Sequence, residues 1–598
     1  MKKEALIIFG IFILIWLNGR VSAAPIAVIN ASRTSCVAPC AVFFDATETT
    51  SITTNRPFHE LDYTWDFGDE NSGNWVTNGK SKNSAKGAVA AHVFENSGNY
   101  TVNLNVKDIN GDIGTNQVNI SIEDPNFYYG SSGYGQTICL TTSSDSSGCP
   151  SGGTVVTGAS LSTIQTYLGT NKRVLLKRGD EWFFNGSIEI GYKGPWTIGS
   201  YGNCESVGGT YDEKGACSKN PKINSISNSR NIFQVYQNNL SDGRISDLII
   251  TGPYGTDTGG IVFGSTTVSN DLLVLRVNIT GFDRGTDVRG RGFTTRAFFI
   301  DSDIYRNYRR GLTLGGRQNV VMGSHIGGFD TGMYGHIMRS YYSDKLNNFF
   351  IGDGRGDIKI HSALSGGPNS EFIYFGENII KDIREYLPFQ LGPQDQFQDE
   401  KIIDAVIENN FFKSSNNTQR IVSIWAQNVT IRNNIFDLSG AMGFTAIGVE
   451  QRGIEPPPKD IHIFGNSVYD NSFDISGDGL SFVYFGANVS DVVVKNNLVY
   501  SPNHVQRLIT RGVCQNLIIS NNLISATDPY LEVLHQDYNL KSTATEAIDN
   551  GTQIAGLFED YSGNLRDSQP DIGAYEFISE AIPTQTNCTI TKAYWRVI

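Results

Sequence analysis

One short phrase recurs between residues 400 and 525, and it constrains the fold more than any other feature of the chain. It reads Val406-Ile-Glu-Asn-Asn-Phe411, Thr430-Ile-Arg-Asn-Asn-Ile435, His462-Ile-Phe-Gly-Asn-Ser-Val468, Val493-Val-Lys-Asn-Asn-Leu498 and Ile518-Ile-Ser-Asn-Asn-Leu523. The leading Asn falls at Asn409, Asn433, Asn466, Asn496 and Asn521, in steps of 24, 33, 30 and 25 residues. A fixed motif on a variable period means stacked coils joined by loops of differing length. Each copy holds a strand and no helical run, so the expected architecture is a parallel β-helix. Asn tolerates the left-handed conformation of a sharp corner, and stacked Asn side chains bond to the coils above and below. An ordinary turn-rich sandwich does not repeat a corner dipeptide.

The 598 residues exceed one domain, and 64 Gly with 18% charged residues suit a turn-rich β protein. Residues 1–23 read as a signal peptide: Lys2 and Lys3, an apolar run from Ala5 to Leu17, and a small-residue cleavage site at Val21-Ser-Ala23. Losing Lys2, Lys3, Arg20 and Glu4 removes a net +2, taking the formal charge from −13 to −15. Such an acidic chain is a poor general binder of nucleic acid. No later run is long enough to span a membrane, so a secreted or surface-exposed monomer is expected. Eight Cys in an exported chain point to disulfides. The expected pairs close short loops: Cys36–Cys40, Cys139–Cys149 and Cys204–Cys217. Cys514 and Cys588 remain with their pairing open; a bond between them would tie the tail, residues 579–598, to a late coil.

Residues 25–123 alternate strand and turn signals at sandwich-like spacing. Tyr63-Thr-Trp-Asp-Phe-Gly-Asp69 places Trp65 and Phe67 on one strand face, and Tyr100-Thr-Val-Asn-Leu-Asn-Val106 alternates with a period of two. Together these resemble the PKD domain, an immunoglobulin-like β-sandwich marked by a Trp-Asp-Phe-Gly-Asp strand. The departures are the Cys36–Cys40 pair and a long insert around Asn71–Gly87. The resemblance implies a spacer or a module for carbohydrate or protein contact, with Asp66 and Asp69 stabilising turns.

From residue 136 to 578 the chain reads as the β-helix. The strand Val174-Leu-Leu-Lys-Arg-Gly-Asp-Glu-Trp182 resembles the first coil of right-handed parallel β-helix proteins of the pectin-lyase-like class. A short helix over Ser160–Leu168 is placed to cap the open end. Glu546-Ala-Ile-Asp-Asn-Gly551, Asp560-Tyr-Ser-Gly-Asn-Leu-Arg566 and Pro570-Asp-Ile-Gly-Ala-Tyr-Glu576 resemble the closing segment of exported β-helix proteins, polysaccharide lyases among them. In that segment Ile572, Ala574 and Tyr575 are expected to cover the last coil. The fold class is therefore all-β: a right-handed parallel β-helix preceded by a PKD-like sandwich.

The middle coils change in content. In the corner slot stand Asn278, Ser302-Asp303 and Ser324-His325 before Glu377-Asn378 restores the motif. Residues 284–355 hold ten Arg, one Lys, six Asp and no Glu, a balance of +5 on an acidic chain, with five Tyr and several His nearby. Arg suits bidentate recognition of carboxylate or sulfate, and Tyr offers a face to sugar rings. These coils are expected to bind an acidic polysaccharide through Arg289, Arg291, Arg309, Arg310, Arg317 and Arg355. For a lyase, cations acidify the α-proton of a uronate and a base removes it; the candidates are His336, Arg339, Tyr341, Lys345, Lys359 and His361. A non-catalytic adhesive or structural protein is the alternative, with the β-helix as a stiff rod and the sandwich as spacer. A glycoside hydrolase using Asp301, Asp303, Asp353 or Asp357 is the third. Tyr334-Gly-His-Ile-Met-Arg339 and Gly356-Asp-Ile-Lys-Ile360 resemble two elements of polygalacturonases, but the Asn-x-Asp and Asp-Asp elements are absent, so that active site is not carried over. No cofactor is required; calcium enters only through the loop Asp353–Asp357.

Overall fold

In a computed structural model, the residues described are 23–131, 133–235, 240–253, 258–263, 269–288, 294–307, 310–314, 317–327, 336–339, 348–354, 358–361, 370–383, 389–392, 402–414, 420–439, 445–451, 453–471, 481–503, 507–510 and 514–578. The signal peptide and the tail with Cys588 lie outside them.

The chain from Gln136 onward winds into a right-handed parallel β-helix with three flanks. The first flank stacks strands such as Ser269–Leu275, Thr294–Ile300, Ile402–Glu408, Gln427–Arg432 and Val489–Lys495. The second stacks Asn278–Thr280, Asp303–Tyr305, Phe411–Ser414, Ile435–Asp437 and Leu498–Tyr500. The third is a five-stranded sheet from Ile188–Ile190 to Arg310–Leu314, followed by a seven-stranded sheet from His336–Arg339 to Arg507–Thr510. Inward side chains form one continuous apolar core. Phe412 stacks on Phe436 at 5.1 Å there. At the first coil the helix Leu161–Tyr167 closes the end by sinking Ile164 and Leu168 into that core.

The Asn motif does line up, with its register shifted by one residue at Asn466. The buried file is Asn378, Asn410, Asn434, Asn466, Asn497 and, half-buried, Asn522. Each side-chain oxygen accepts from the amide of the file member before it, as Asn434 Oδ1 does from Asn410 N at 3.0 Å and Nδ2 at 2.9 Å. From Asn410 onward each Nδ2 also donates to a backbone carbonyl of the preceding coil, as Asn434 Nδ2 does to Ile407 O at 2.9 Å. The residue before each file member, Glu377, Asn409, Asn433, Gly465, Asn496 or Asn521, has φ between 52° and 60°. Upstream, Ser302 and Ser324 take the same slot: Val277 N donates to Ser302 Oγ and Ser302 N to Ser324 Oγ, both at 3.1 Å. Asn278 therefore stands one position past the slot, in register with Asp303.

Five residues ahead of every corner lies a second left-handed residue: Asp271 before Arg276, Arg296 before Asp301, Asp404 before Asn409, Asn428 before Asn433, Asp491 before Asn496. Each first-flank strand thus kinks once along its length and turns at its end.

The N-terminal sandwich pairs a three-stranded sheet, Asn30–Ala31, Cys40–Asp45 and Val89–Phe94, with a five-stranded one containing Asp62–Asp66, Gly98–Lys107 and Ile113–Glu123. Trp65 is fully buried and donates to Gly87 O at 2.8 Å. Asp66 Oδ1 accepts from Gly68 N at 3.0 Å, holding a turn in which Gly68 has φ 67° and no room for a Cβ beside Thr101 O. Asp69 instead pairs with buried His92 at 3.0 Å.

The sandwich does not extend the rod as a spacer; it lies flat on the first flank. Leu273, Leu275, Phe298, Ile300, Val320, Met322, Tyr374 and Val406 face outward there and join the sandwich's own core. The insert Asn71–Gly87 is the docking arm. Lys80 pairs with Glu377 and Lys82 with Asp301, each at 2.7 Å, and Lys86 with Glu559 at 2.9 Å. Arg244 of the helix, 1% exposed, donates to Val37 O and Pro39 O at 2.7 Å.

Residues 546–576 also depart from expectation. Ile572, Ala574 and Tyr575 pack on Phe411, Ile435, Tyr469 and Leu498, so the closing segment folds back over the lower second flank instead of covering the last coil. Gly573 N donates to Asn496 O at 2.8 Å and Ala574 N to Ser467 Oγ at 2.9 Å. The last coil leaves Ile518 and Ile519 about half exposed.

The three expected short-loop disulfides are formed. Among the described residues Cys514 is the free cysteine, half-buried at the start of the last first-flank strand.

Candidate functional site

The three flanks differ in what their outward positions offer. The first is apolar and is covered by the sandwich. The lower second flank is apolar and is covered by the closing segment. On the third, mostly polar residues stand in the file between its core files. Strand register fixes one file in its upper sheet as Glu189, Gln234, Val262, Asp287 and Thr313. In the lower sheet the file is Ile337, Lys359, Gln390, Ser423, Gly448, Tyr484 and Thr510. The flanking files, such as Phe389, Val422, Ile447 and Val483, are all core. Gln390 and Ser423 are buried although polar, and Ser423 Oγ has no hydrogen-bond partner.

Register brings part of the predicted catalytic set together. Arg339 pairs directly with His361, and Lys359 stands two residues earlier on the same side of its strand. His336 falls in the other parity, in the file that continues through Ile358, Phe389 and Val422. Tyr341 and Lys345 lie outside the described residues, as do Arg289, Arg291, Arg309 and Arg355. Arg310 is stacked in register on Arg284. Arg317 is half-buried, and its carbonyl accepts from Arg296 N at 2.8 Å.

Several charges of the middle coils are already committed. Arg296 occupies a kink position and pairs with Asp271, the kink residue of the coil above, at 2.5 Å. Arg276 does the same at the corner, with Asp247 at 2.8 Å. Arg284 lies 3.3 Å from Asp287. The hydrolase carboxylates are also engaged: Asp301 is buried in the seam with the sandwich's Lys82, and Asp303 pairs with Lys214 at 2.6 Å. Burial raises the Asp301 carboxyl above its ordinary range, against the pull of Lys82. Asp353 stands in register with His325, and Asp357 lies outside the described residues.

The lower third flank ends in a cleft that the sequence reading did not single out. Its volume is about 630 Å³, and it is lined by Pro457, Tyr484, Phe485, Gly486, Ala487, Asn488, Val489, Ser490 and Gln515. Pro457 comes from the strand-breaking run Glu455-Pro-Pro-Pro-Lys459, which holds its place through Gln427 Nε2 donating to Pro457 O at 2.9 Å. Beside the cleft, Arg420 crosses over Gly448, where a Cβ would fall 2.4 Å from Arg420 Cδ. Its guanidinium stacks on the Tyr484 ring at 4.2 Å and pairs with Glu450. The signal available in sequence was the proline run itself, a rigid wall one coil before the half-buried Tyr484.

Among the described residues no cluster of three or more His, Cys, Asp or Glu is gathered for a metal ion, and no helix is long and apolar enough to cross a membrane.

Residues 22–122 match the PKD domain model, so the sandwich is a PKD domain. No curated protein sequence matches the chain. Among solved structures the chain is similar to a mannuronic acid specific polysaccharide family 6 lyase from human gut microbiota, at 12% identity over 59% of this chain and 78% of that one, with a TM-score of 0.33. It is similar to the family 28 exopolygalacturonase of Yersinia enterocolitica at 8% identity, covering 83% and 99% of the two chains, with a TM-score of 0.28. An alginate lyase of Paenibacillus shares 13% identity over 64% and 99%, with a TM-score of 0.25.

Proposed function

We propose that this exported protein binds an acidic polysaccharide along the third flank and acts on it by β-elimination. The observation that supports this most is the contrast between flanks. The first turns apolar side chains outward and is sealed by the sandwich, whereas strand register on the third runs Lys359, Gln390, Ser423 and Tyr484 through one file between core files, with Gln390 and Ser423 buried and Tyr484 half-buried. A file of polar positions along a stiff stack suits a long hydroxylated ligand.

In this reading Arg339 and Lys359 neutralise the uronate carboxylate, which acidifies the neighbouring carbon-bound proton. His361, opposite Arg339 in register, accepts that proton. The electron pair left behind becomes the new carbon–carbon double bond, and the glycosidic oxygen departs with a proton from an acid. Tyr341 and Lys345 remain candidates for that acid. The three disulfides fit an oxidising compartment outside the cytoplasm. Engagement of Asp301 and Asp303 in ion pairs weighs against the hydrolytic alternative.

The test is incubation of the purified protein with a panel of uronic-acid polysaccharides. Ultraviolet absorbance from unsaturated ends, abolished by Lys359→Ala, is the expected outcome. Reducing ends without that absorbance mean hydrolysis. Binding with neither product means an adhesive role, and no binding ends the proposal.

A further inference from the structure

The cleft at the foot of the third flank differs from the coils above it in one respect: among the described residues no formally charged side chain lines it. We infer that it is a subsite for an uncharged sugar unit, so that the ligand carries neutral residues as well as acidic ones. This rests on the third flank being the ligand-binding face.

The volume of about 630 Å³ lies within the range of small-ligand sites, roughly 300–1,000 Å³. What the cleft offers is a half-buried ring at Tyr484, the amides of Asn488 and Gln515, and the Ser490 hydroxyl. Amides and hydroxyls both donate and accept, which matches sugar hydroxyls; a carboxylate only accepts. An anion placed there meets no cation among the described lining residues, and desolvating an unpaired charge is costly. Arg420 does not supply one, because its guanidinium is stacked on Tyr484 and paired with Glu450. The rim repels anions as well. Lys459 is shared between Asp460 and Asp491, at 4.0 and 3.9 Å. Hydrogen bonds from Asn516 and Ser490 hold the Asp491 carboxyl below its ordinary range, and so in its charged form.

The cleft also lies on the same track as the basic positions. Tyr484 follows Lys359 in one register file, four strands further on. At a strand spacing of about 4.8 Å that is roughly 19 Å, so a single extended chain reaches both.

The experiment compares three ligands, a pure polyuronate, a neutral glycan and a mixed chain, by titration calorimetry with the full-length protein. Wild type is expected to bind the mixed chain tightest. Gln515→Ala and, separately, Ser490→Ala are expected to weaken mixed-chain binding about tenfold while leaving polyuronate binding unchanged. Gln515 is exposed, so its replacement tests the cleft without disturbing the stack of Tyr484 with Arg420. Equal weakening toward polyuronate, or no effect on the mixed chain, overturns the inference and leaves the third-flank reading standing. Loss of all binding in wild type overturns both.

Discussion

Replacing His59 by Gln tests whether the docked sandwich is held by a group that must stay neutral. His59 belongs to the sandwich but is fully enclosed by the first flank. Its Nδ1 lies 2.9 Å from Thr430 Oγ1, its Nε2 3.5 Å from Asp404, and its carbonyl accepts from Arg432 at 2.5 Å. Burial pushes its pKa down to about 4; Asp404 opposes this, while Arg56 and Arg432 reinforce it. A separated sandwich returns the imidazole to its ordinary value near 6.5. The sign follows: docking is at full strength above pH 6.5 and weakens as pH falls from there toward 4. At pH 5 the linkage amounts to about 2 kcal/mol, or roughly 30-fold in the docking equilibrium, and nears about 3 kcal/mol at pH 4. His462, 2.5 Å from Arg56 and pushed down to about 3 by burial and that cation, acts in the same direction. Small-angle scattering and urea unfolding between pH 7.5 and 4.5 read the effect. Wild type is expected to loosen and expand with acid, and His59→Gln, which keeps an amide for Thr430 but does not titrate, to lose about 2 kcal/mol less by pH 5. Equal pH dependence in the two proteins refutes the argument.

Three further outcomes are expected. Asn434→Ala removes the acceptor shared by Asn410 N and Nδ2 and the side-chain donor to Ile407 O, so it should cost about 3–6 kcal/mol by urea unfolding; Asn522→Ala, at the half-buried end of the file, should cost about a third as much because water replaces the lost bonds. Lys82→Ala strands Asp301 in the seam and should destabilise docking by about 3–5 kcal/mol at pH 7, with recovery on adding Asp301→Asn. Gly448→Val should displace Arg420 from the third flank and weaken polysaccharide binding without lowering the unfolding free energy by more than about 2 kcal/mol.

The stack and its sandwich partner were legible because each depends on residues that few others replace. The Asn file needs a short amide that reaches two neighbours, and the Trp65 strand needs a large ring. The kink five residues ahead of each corner was hidden because its only requirement is tolerance of a left-handed backbone, and Asp271, Arg296, Gln318, Phe372 and Asn428 all meet it. That slot also accounts for part of the arginine excess read as a ligand patch. Docking of the sandwich left a trace in Ala297-Phe-Phe-Ile300 and Val320-Val-Met322, apolar on both faces where a solvent-facing strand alternates. The cleft was least visible, because Pro457, Tyr484 and Gln515 come from three successive coils.

The apolar first flank also says where the polypeptide can be divided. A cut at the connector before Gln136 does not yield two independent pieces. The larger fragment would carry Leu273, Phe298, Ile300, Val320 and Met322 bare into water, and the smaller would lose the partners of Phe58, Trp75 and Lys82. The two halves are one unit of solubility, and either alone should self-associate through the face the other now hides.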